Sequence, residues 1–178
     1  MRRTIKADYF WFKCLNLCIF SHMRRLLYIL RHAEAANAAE DFARPLTARG
    51  VVQMKALANR LTEENLVPDF VFCSPARRTR MTLENLLPGV QASFPERLYN
   101  ASAETILDIV RESDDSHQEV MVIAHNPGIF NFTRLMAETG AELPPGYAPG
   151  TLTVLECAAE SWFDLMPARN RMRTIITP

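Results

Sequence analysis

The sequence predicts an α/β domain with helices on both faces of a mainly parallel central sheet, a three-layer α/β/α arrangement. Three observations lead there. Apolar runs of strand length are nearly continuous rather than alternating, as in strands buried on both faces. They are separated by segments whose apolar residues recur every three or four positions, the period of an amphipathic helix. The chain has 178 residues, 48% of them apolar and 22% charged, which suits one core and excludes a disordered or fibrous polypeptide.

The elements follow in order. LLYIL (26–30) is the first strand. Residues 46–64 form a helix in which Val51, Met54, Leu57, Ala58 and Leu61 share a face, with Thr47 as its N-cap. Pro68 introduces the strand DFVFCS (69–74), and the helix 77–87 after it stops before Pro88 and Gly89. Ser102 or Thr105 opens the helix 101–112, whose Ile106, Ile109 and Val110 make one apolar stripe. EVMVIAH (119–125) is a strand and GIFNFTRLMAE (128–138) the helix that follows. The loop LPPGYAPG (143–150) leads to the strand TLTVLECA (151–158), and a last strand is expected over SWFDLMP (161–167).

Residues 1–22 stand apart. Their basic start and aromatic stretch imitate a signal peptide, but Lys13 and Asn16 interrupt the apolar run, no small-residue cleavage site follows, and the stretch is too short to span a bilayer. They are expected to be an extension outside the fold, with a weak membrane-surface anchor as the other reading, and residues 23–178 a single domain beginning at Met23. Trp11 and Phe12 would then be an exposed patch, and His22 a bystander.

Twenty basic residues balance twenty acidic ones, which argues against a nucleic-acid footprint. Seventeen of the basic residues are Arg, a bias that either suits phosphate or reflects genome composition. Cys14, Cys18, Cys73 and Cys157 include no C-x-x-C pair and no His at a zinc spacing, so no metal is expected. Cys73 and Cys157 sit in apolar runs, where a free thiol behaves as a small hydrophobe; a reducing, cytoplasmic setting is the simpler expectation.

In a parallel sheet of this class ligands bind beyond the carboxyl ends of the strands. Those ends carry Arg31 and His32; Ser74, Pro75, Arg77, Arg78 and Arg80; and His125, Asn126 and Pro127. Two of the chain's four histidines therefore directly follow an apolar strand. Converging guanidinium groups repel one another unless they meet an anion, and their fork fits phosphate oxygens. A helix starting at Pro127 or Gly128 adds backbone N–H groups to the same rim, and a neutral imidazole can attack phosphorus. No nucleotide loop, zinc-protease helix or serine-hydrolase elbow is present.

These blocks resemble the histidine phosphatase superfamily, the fold of cofactor-dependent phosphoglycerate mutases and acid phosphatases. Arg31-His32-Ala33-Glu34-Ala35 is similar to its R-H-G-[DE] motif, Ser74 to Thr82 to its S-x-x-x-R-A-x-Q-T block with the phosphate-binding arginine at Arg78, and Val122 to Pro127 to its G-H-x-P block. Asp41 to Gly50, DFARPLTARG, in a short chain without insertions, looks most like the SixA type of phosphohistidine phosphatase. Ala33 and Ala124 replace motif glycines and predict tight packing, while Thr79 and Met81 differ on a helix face near the pocket.

The resemblance implies a metal-independent phosphatase, without cofactor, in which His32 takes the phosphoryl group while Arg31, Arg78 and His125 stabilise its oxygens. Asn126 would contribute a backbone N–H or simply form a turn. Asn126, Asp41, Arg44 and Glu34 are candidates for substrate binding; Asp41 and Glu34 are also acid–base candidates, or else loop carboxylates that pair with Arg44 or cap a helix. Arg77 and Arg80 are expected on a solvated helix face, His117 in solvent and Trp162 in the core. The partner would be a phosphohistidine-bearing signalling protein. Alternatives are a phosphatase for small phosphate esters and a catalytically silent phosphate-binding module. A mutase is disfavoured, because mutases generally need enclosing segments that this chain lacks. No nucleic-acid or membrane partner is expected.

Overall fold

The computed structural model describes residues 25–178; the expected extension over 1–22, with Trp11, Phe12, Cys14, Cys18 and His22, lies outside the described residues. Six strands, β1 (Arg25–Arg31), β2 (Phe70–Cys73), β3 (Gln91–Ser93), β4 (Glu119–Ala124), β5 (Leu152–Cys157) and β6 (Arg171–Ile176), form one sheet in the order β3-β2-β4-β1-β5-β6. β3, β2, β4 and β1 run parallel, whereas β5 and β6 pair antiparallel.

Alternate residues of each central strand enter different cores. Leu27 and Ile29 of β1 pack with Ile106, Ile109, Ile129 and Phe132, whereas Leu26, Tyr28 and Leu30 pack with Met54, Leu57, Leu61, Leu83 and Leu86. The first set comes from helices α3 (Ala103–Arg111) and α4 (Gly128–Met136), the second from α1 (Ala48–Glu63) and α2 (Arg77–Leu86). The result is the three-layer α/β/α arrangement, and burial on both faces explains why the central strands read as continuous apolar runs.

The helix starts have local causes. Thr47 caps α1 by accepting the Gly50 N–H at 3.0 Å, and Ser102, not Thr105, caps α3 by accepting the Thr105 N–H at 3.2 Å. Two glycines are fixed by close approach. A Cβ at Gly50 would lie 2.3 Å from the Glu34 carbonyl oxygen, and one at Gly128 would lie 1.8 Å from that of Ala101. Gly50 thus lets α1 press against the loop after β1, and Gly128 lets α4 start against the approach to α3.

The strand expected over 161–167 does not form. That segment is a series of turns in which Trp162 and Leu165 are buried while Phe163 and Met166 are exposed. Spacing of three, not two, carries its burial. The last strand is β6, an edge strand whose mixed exposure hides it among polar residues, and the short β3 at the opposite edge was equally without an apolar signature.

Candidate active site

Strand register gathers the candidate residues. Arg31 of β1 pairs with Ala124 of β4, and Cys73 of β2 with Ile123, so Arg31, Ser74 and His125 end three adjacent strands at one level. The His32 N–H continues the ladder to the Ala124 carbonyl at 3.1 Å, and the Ser74 N–H to that of Ile123 at 3.0 Å. From β1 the chain crosses to β2 over one face of the sheet and from β4 to β5 over the other, so the carboxyl ends of β1 and β4 flank a topological switch point, where crevices open.

The His32 and His125 rings lie 5.2 Å apart, both nearly buried. His32 Nδ1 is 2.8 Å from the Ala33 carbonyl oxygen, which only accepts, so that nitrogen carries the proton and Nε2 keeps its lone pair. Arg78 Nε donates to His125 Nδ1 at 3.2 Å, which puts the His125 proton on Nε2, facing the Ser74 hydroxyl at 2.7 Å. Burial, with the charges of Arg78 and Arg31 adding and the Ala33 hydrogen bond opposing, brings His32 down to about 4. Burial, then Arg78 and His32, brings His125 down to about 3. Both rings are neutral at neutral pH.

Arg78 is buried at the start of α2, and its guanidinium is fixed from three directions. Besides the His125 bond, Nη1 donates to the Asp41 carbonyl at 2.7 Å and Nη2 to Asp41 Oδ2 at 3.0 Å. Of its five N–H donors two remain, one on each terminal nitrogen. Arg31 donates to the Tyr147 carbonyl, and its Nε is buried without a partner. It pairs with no carboxylate among the described residues. Burial and the neighbouring Arg78 charge push Arg31 below its ordinary value.

Asp41 lies in a short 3-10 turn, Asp41–Ala43, and joins several groups. Tyr99 donates its hydroxyl to Oδ2 at 2.7 Å, and Arg44 Nη1 donates to Oδ1 at 3.2 Å. Tyr99, then Arg44 and Arg78, hold its carboxyl well below the usual range. An ionised carboxylate is a poor proton donor, and the contacts of Asp41 place it to orient Arg78. Arg44 is tied into the same turn by Nε to the Ala36 carbonyl at 3.0 Å. Glu34 faces α1 instead: Thr47 donates to it at 2.9 Å and Arg49 lies 3.6 Å away. Asn126 donates from Nδ2 to the Tyr147 carbonyl at 3.1 Å, and its Oδ1 is buried without a partner.

The alanines at the motif-glycine positions are fully packed. Ala33 donates its N–H to Thr82 Oγ1 at 3.1 Å, and Thr82 in turn donates to the Arg78 carbonyl at 2.7 Å, linking the two motif blocks. Thr79 is buried and donates to the Ser74 or Ala76 carbonyl, each 2.7 Å away. Arg77 and Arg80 are exposed, with Arg80 over the Phe94 ring, and Trp162 is core. His117 is stacked on Phe70 and 3.4 Å from Asp69, at the far end of the sheet, rather than loose in solvent. Among the described residues no group of three or more His, Cys, Asp or Glu is gathered as a metal site would need.

Sequence reasoning missed Ser74 as the partner of His125, Tyr99 as the partner of Asp41, and the Tyr147 carbonyl that holds both Arg31 and Asn126. Ser74 had a signal, its place directly after a strand. Tyr99 and Tyr147 sit in loops with no periodicity to mark them.

Residues 27–104 match the family model of the histidine phosphatase superfamily, branch 1. A Nakamurella multipartitia protein assigned as the phosphohistidine phosphatase SixA is 29% identical, with a TM-score of 0.78 over 87% of this chain and 96% of its own. An Agrobacterium tumefaciens protein with the same assignment is 28% identical, with a TM-score of 0.73 over 86% and 99%. The protein histidine phosphatase SixA complexed with tungstate, 22% identical, shares the fold at a TM-score of 0.70 over 85% and 96%. No curated protein matches the sequence.

Proposed function

We propose, from the premise that the chain belongs to the histidine phosphatase superfamily and is a phosphatase with a histidine nucleophile, that His32 is this nucleophile and that its substrate is a phosphohistidine on a signalling protein. The observation that carries the assignment is the arrangement at the strand ends: two guanidinium groups and two neutral imidazoles converge, and the Arg31 charge has no internal counter-ion among the described residues. Such a cluster of cationic and hydrogen-bond-donating groups fits an anion.

The chemistry follows from the protons. His32 Nε2, its lone pair free because Nδ1 holds the proton on Ala33, attacks phosphorus in line with the departing nitrogen. A P–N bond forms to His32 as the substrate's P–N bond breaks, and the leaving imidazole takes a proton from water. Arg31 and the two spare N–H groups of Arg78 meet the equatorial oxygens. The Nε2 proton of His125 exchanges its Ser74 partner for a third oxygen, and Asn126 closes the rim. Water then attacks phosphorus, the bond to His32 breaks and orthophosphate leaves. The arginines supply the positive charge that a metal ion brings to other phosphoryl-transfer sites.

The phosphohistidine substrate is supported by the likeness to proteins assigned as SixA. Among the described residues no helix is long and apolar enough to cross a membrane. The buried, unpaired Cys73 and Cys157 fit our proposal of a reducing, cytoplasmic site of action. The test compares a phosphohistidine protein with p-nitrophenyl phosphate in EDTA, with His32→Ala as control. Release from phosphohistidine that depends on His32 and survives the chelator is expected; preferential turnover of the ester would give the small-ester reading instead.

A further inference from the structure

The mouth of the site has a feature that phosphoryl binding leaves unused. Phe42, 46% exposed, stands next to Asp41 in the 3-10 turn and packs edge-on against Tyr99, with ring centroids 5.2 Å apart. Tyr99 packs edge-on against His125 at 5.5 Å. The three rings form a continuous aromatic series from the buried histidine to the surface. Asp41 ties it to the phosphoryl subsite, because one carboxylate oxygen accepts from both the Tyr99 hydroxyl and Arg78 Nη2. Phe42 and Tyr99 thus form a ledge fixed, through Asp41, to the guanidinium of Arg78.

Building on the phosphohistidine reading, we infer that Phe42 and Tyr99, with the Asp41 carboxylate beside them, form a subsite for the leaving imidazole ring. An imidazole bonded to phosphorus becomes cationic as its second nitrogen is protonated, and a flat cation is favoured over an aromatic face. Asp41, paired with Arg44 and Arg78, offers the ring a hydrogen-bond acceptor and not a net negative charge. The aromatic ledge therefore selects for leaving groups that carry a ring.

The experiment uses two small P–N substrates, phosphoimidazole and phosphoramidate, which share the bond to be broken and differ in whether the leaving group has a ring. Phe42→Ala is compared with wild type and with Val67→Ala, another exposed apolar position, outside the site. The ratio of kcat/KM for phosphoimidazole over phosphoramidate should fall at least fivefold in Phe42→Ala and recover in Phe42→Trp, while Val67→Ala leaves it unchanged. Equal loss on both substrates, or no loss on either, would overturn the ledge while leaving the phosphohistidine reading in place. Absence of turnover of both by wild type would overturn the phosphohistidine reading and the ledge with it.

Discussion

The two ends of strand β1 each carry an arginine, and the two are treated in opposite ways. Arg25, at the amino end, is 3% exposed and fully used. It donates to the carbonyls of Glu160, Asp115 and His117 at 2.7–3.3 Å, pairs with the Asp115 carboxylate at 2.9 Å and lies 5.3 Å from the Trp162 ring centroid. Arg31, six residues on at the carboxyl end, meets one carbonyl, keeps an orphaned Nε and faces a second arginine. One strand thus carries an arginine whose donors are all used by the fold and another whose donors are mostly left over. A half-buried cation with an unpartnered Nε is a cost to the fold, which is the contrast with Arg25 that a substitution at each end probes.

The largest expected effect breaks the functional half of this comparison. Arg31→Ala should lower kcat/KM by about 10²- to 10³-fold, as for loss of a preorganised oxyanion donor, while its melting temperature stays level or rises because an uncompensated charge is gone. Arg25→Ala should do the reverse, losing about 2–4 kcal/mol of stability through the carbonyls it abandons, with kcat per folded molecule intact. Denaturant titration and steady-state kinetics on the same two preparations separate them. If both variants lose stability and keep activity, the distinction between the two ends is wrong.

A pH series sharpens it further. His32 and His125 are neutral when folded, at about 4 and about 3, against an ordinary value of 6.5 in the unfolded chain. Between about pH 6.5 and 4 the unfolded chain binds more protons, so stability is complete above that window and falls as pH drops through it. The urea midpoint should decline across that range in wild type and less steeply in His32→Asn; parallel profiles would contradict the burial of a neutral His32. The smallest effect concerns Asp41. Asp41→Asn keeps the shape but loses the charge that aims Arg78, so kcat/KM should fall about tenfold with orthovanadate affinity falling alongside. A loss in kcat without loss of vanadate affinity would make Asp41 a proton carrier after all.

What could be read in advance divides along the same lines. β1, β2 and β4 were legible because they are buried on both faces, and Arg31, His32, Arg78 and His125 because they follow such strands or stand in a motif. The edges were not legible. β6 buries only Ile176 fully, and the turn 161–167 imitates a strand because Trp162 folds back over Arg25. The supporting shell was hidden for a related reason: Tyr99 and Ser74 reach the site through one side-chain hydrogen bond each, and a loop carbonyl such as that of Tyr147, which holds both Arg31 and Asn126, leaves no trace in residue type.

The most direct measurement is to trap the covalent intermediate. Rapid quenching of the reaction with a radiolabelled phosphohistidine protein into alkali, followed by peptide mapping, should place an acid-labile, alkali-stable phosphoryl group on His32 and nowhere else. Label on His125, or turnover with no phosphoenzyme when the chemical step of its formation is complete, would contradict the account.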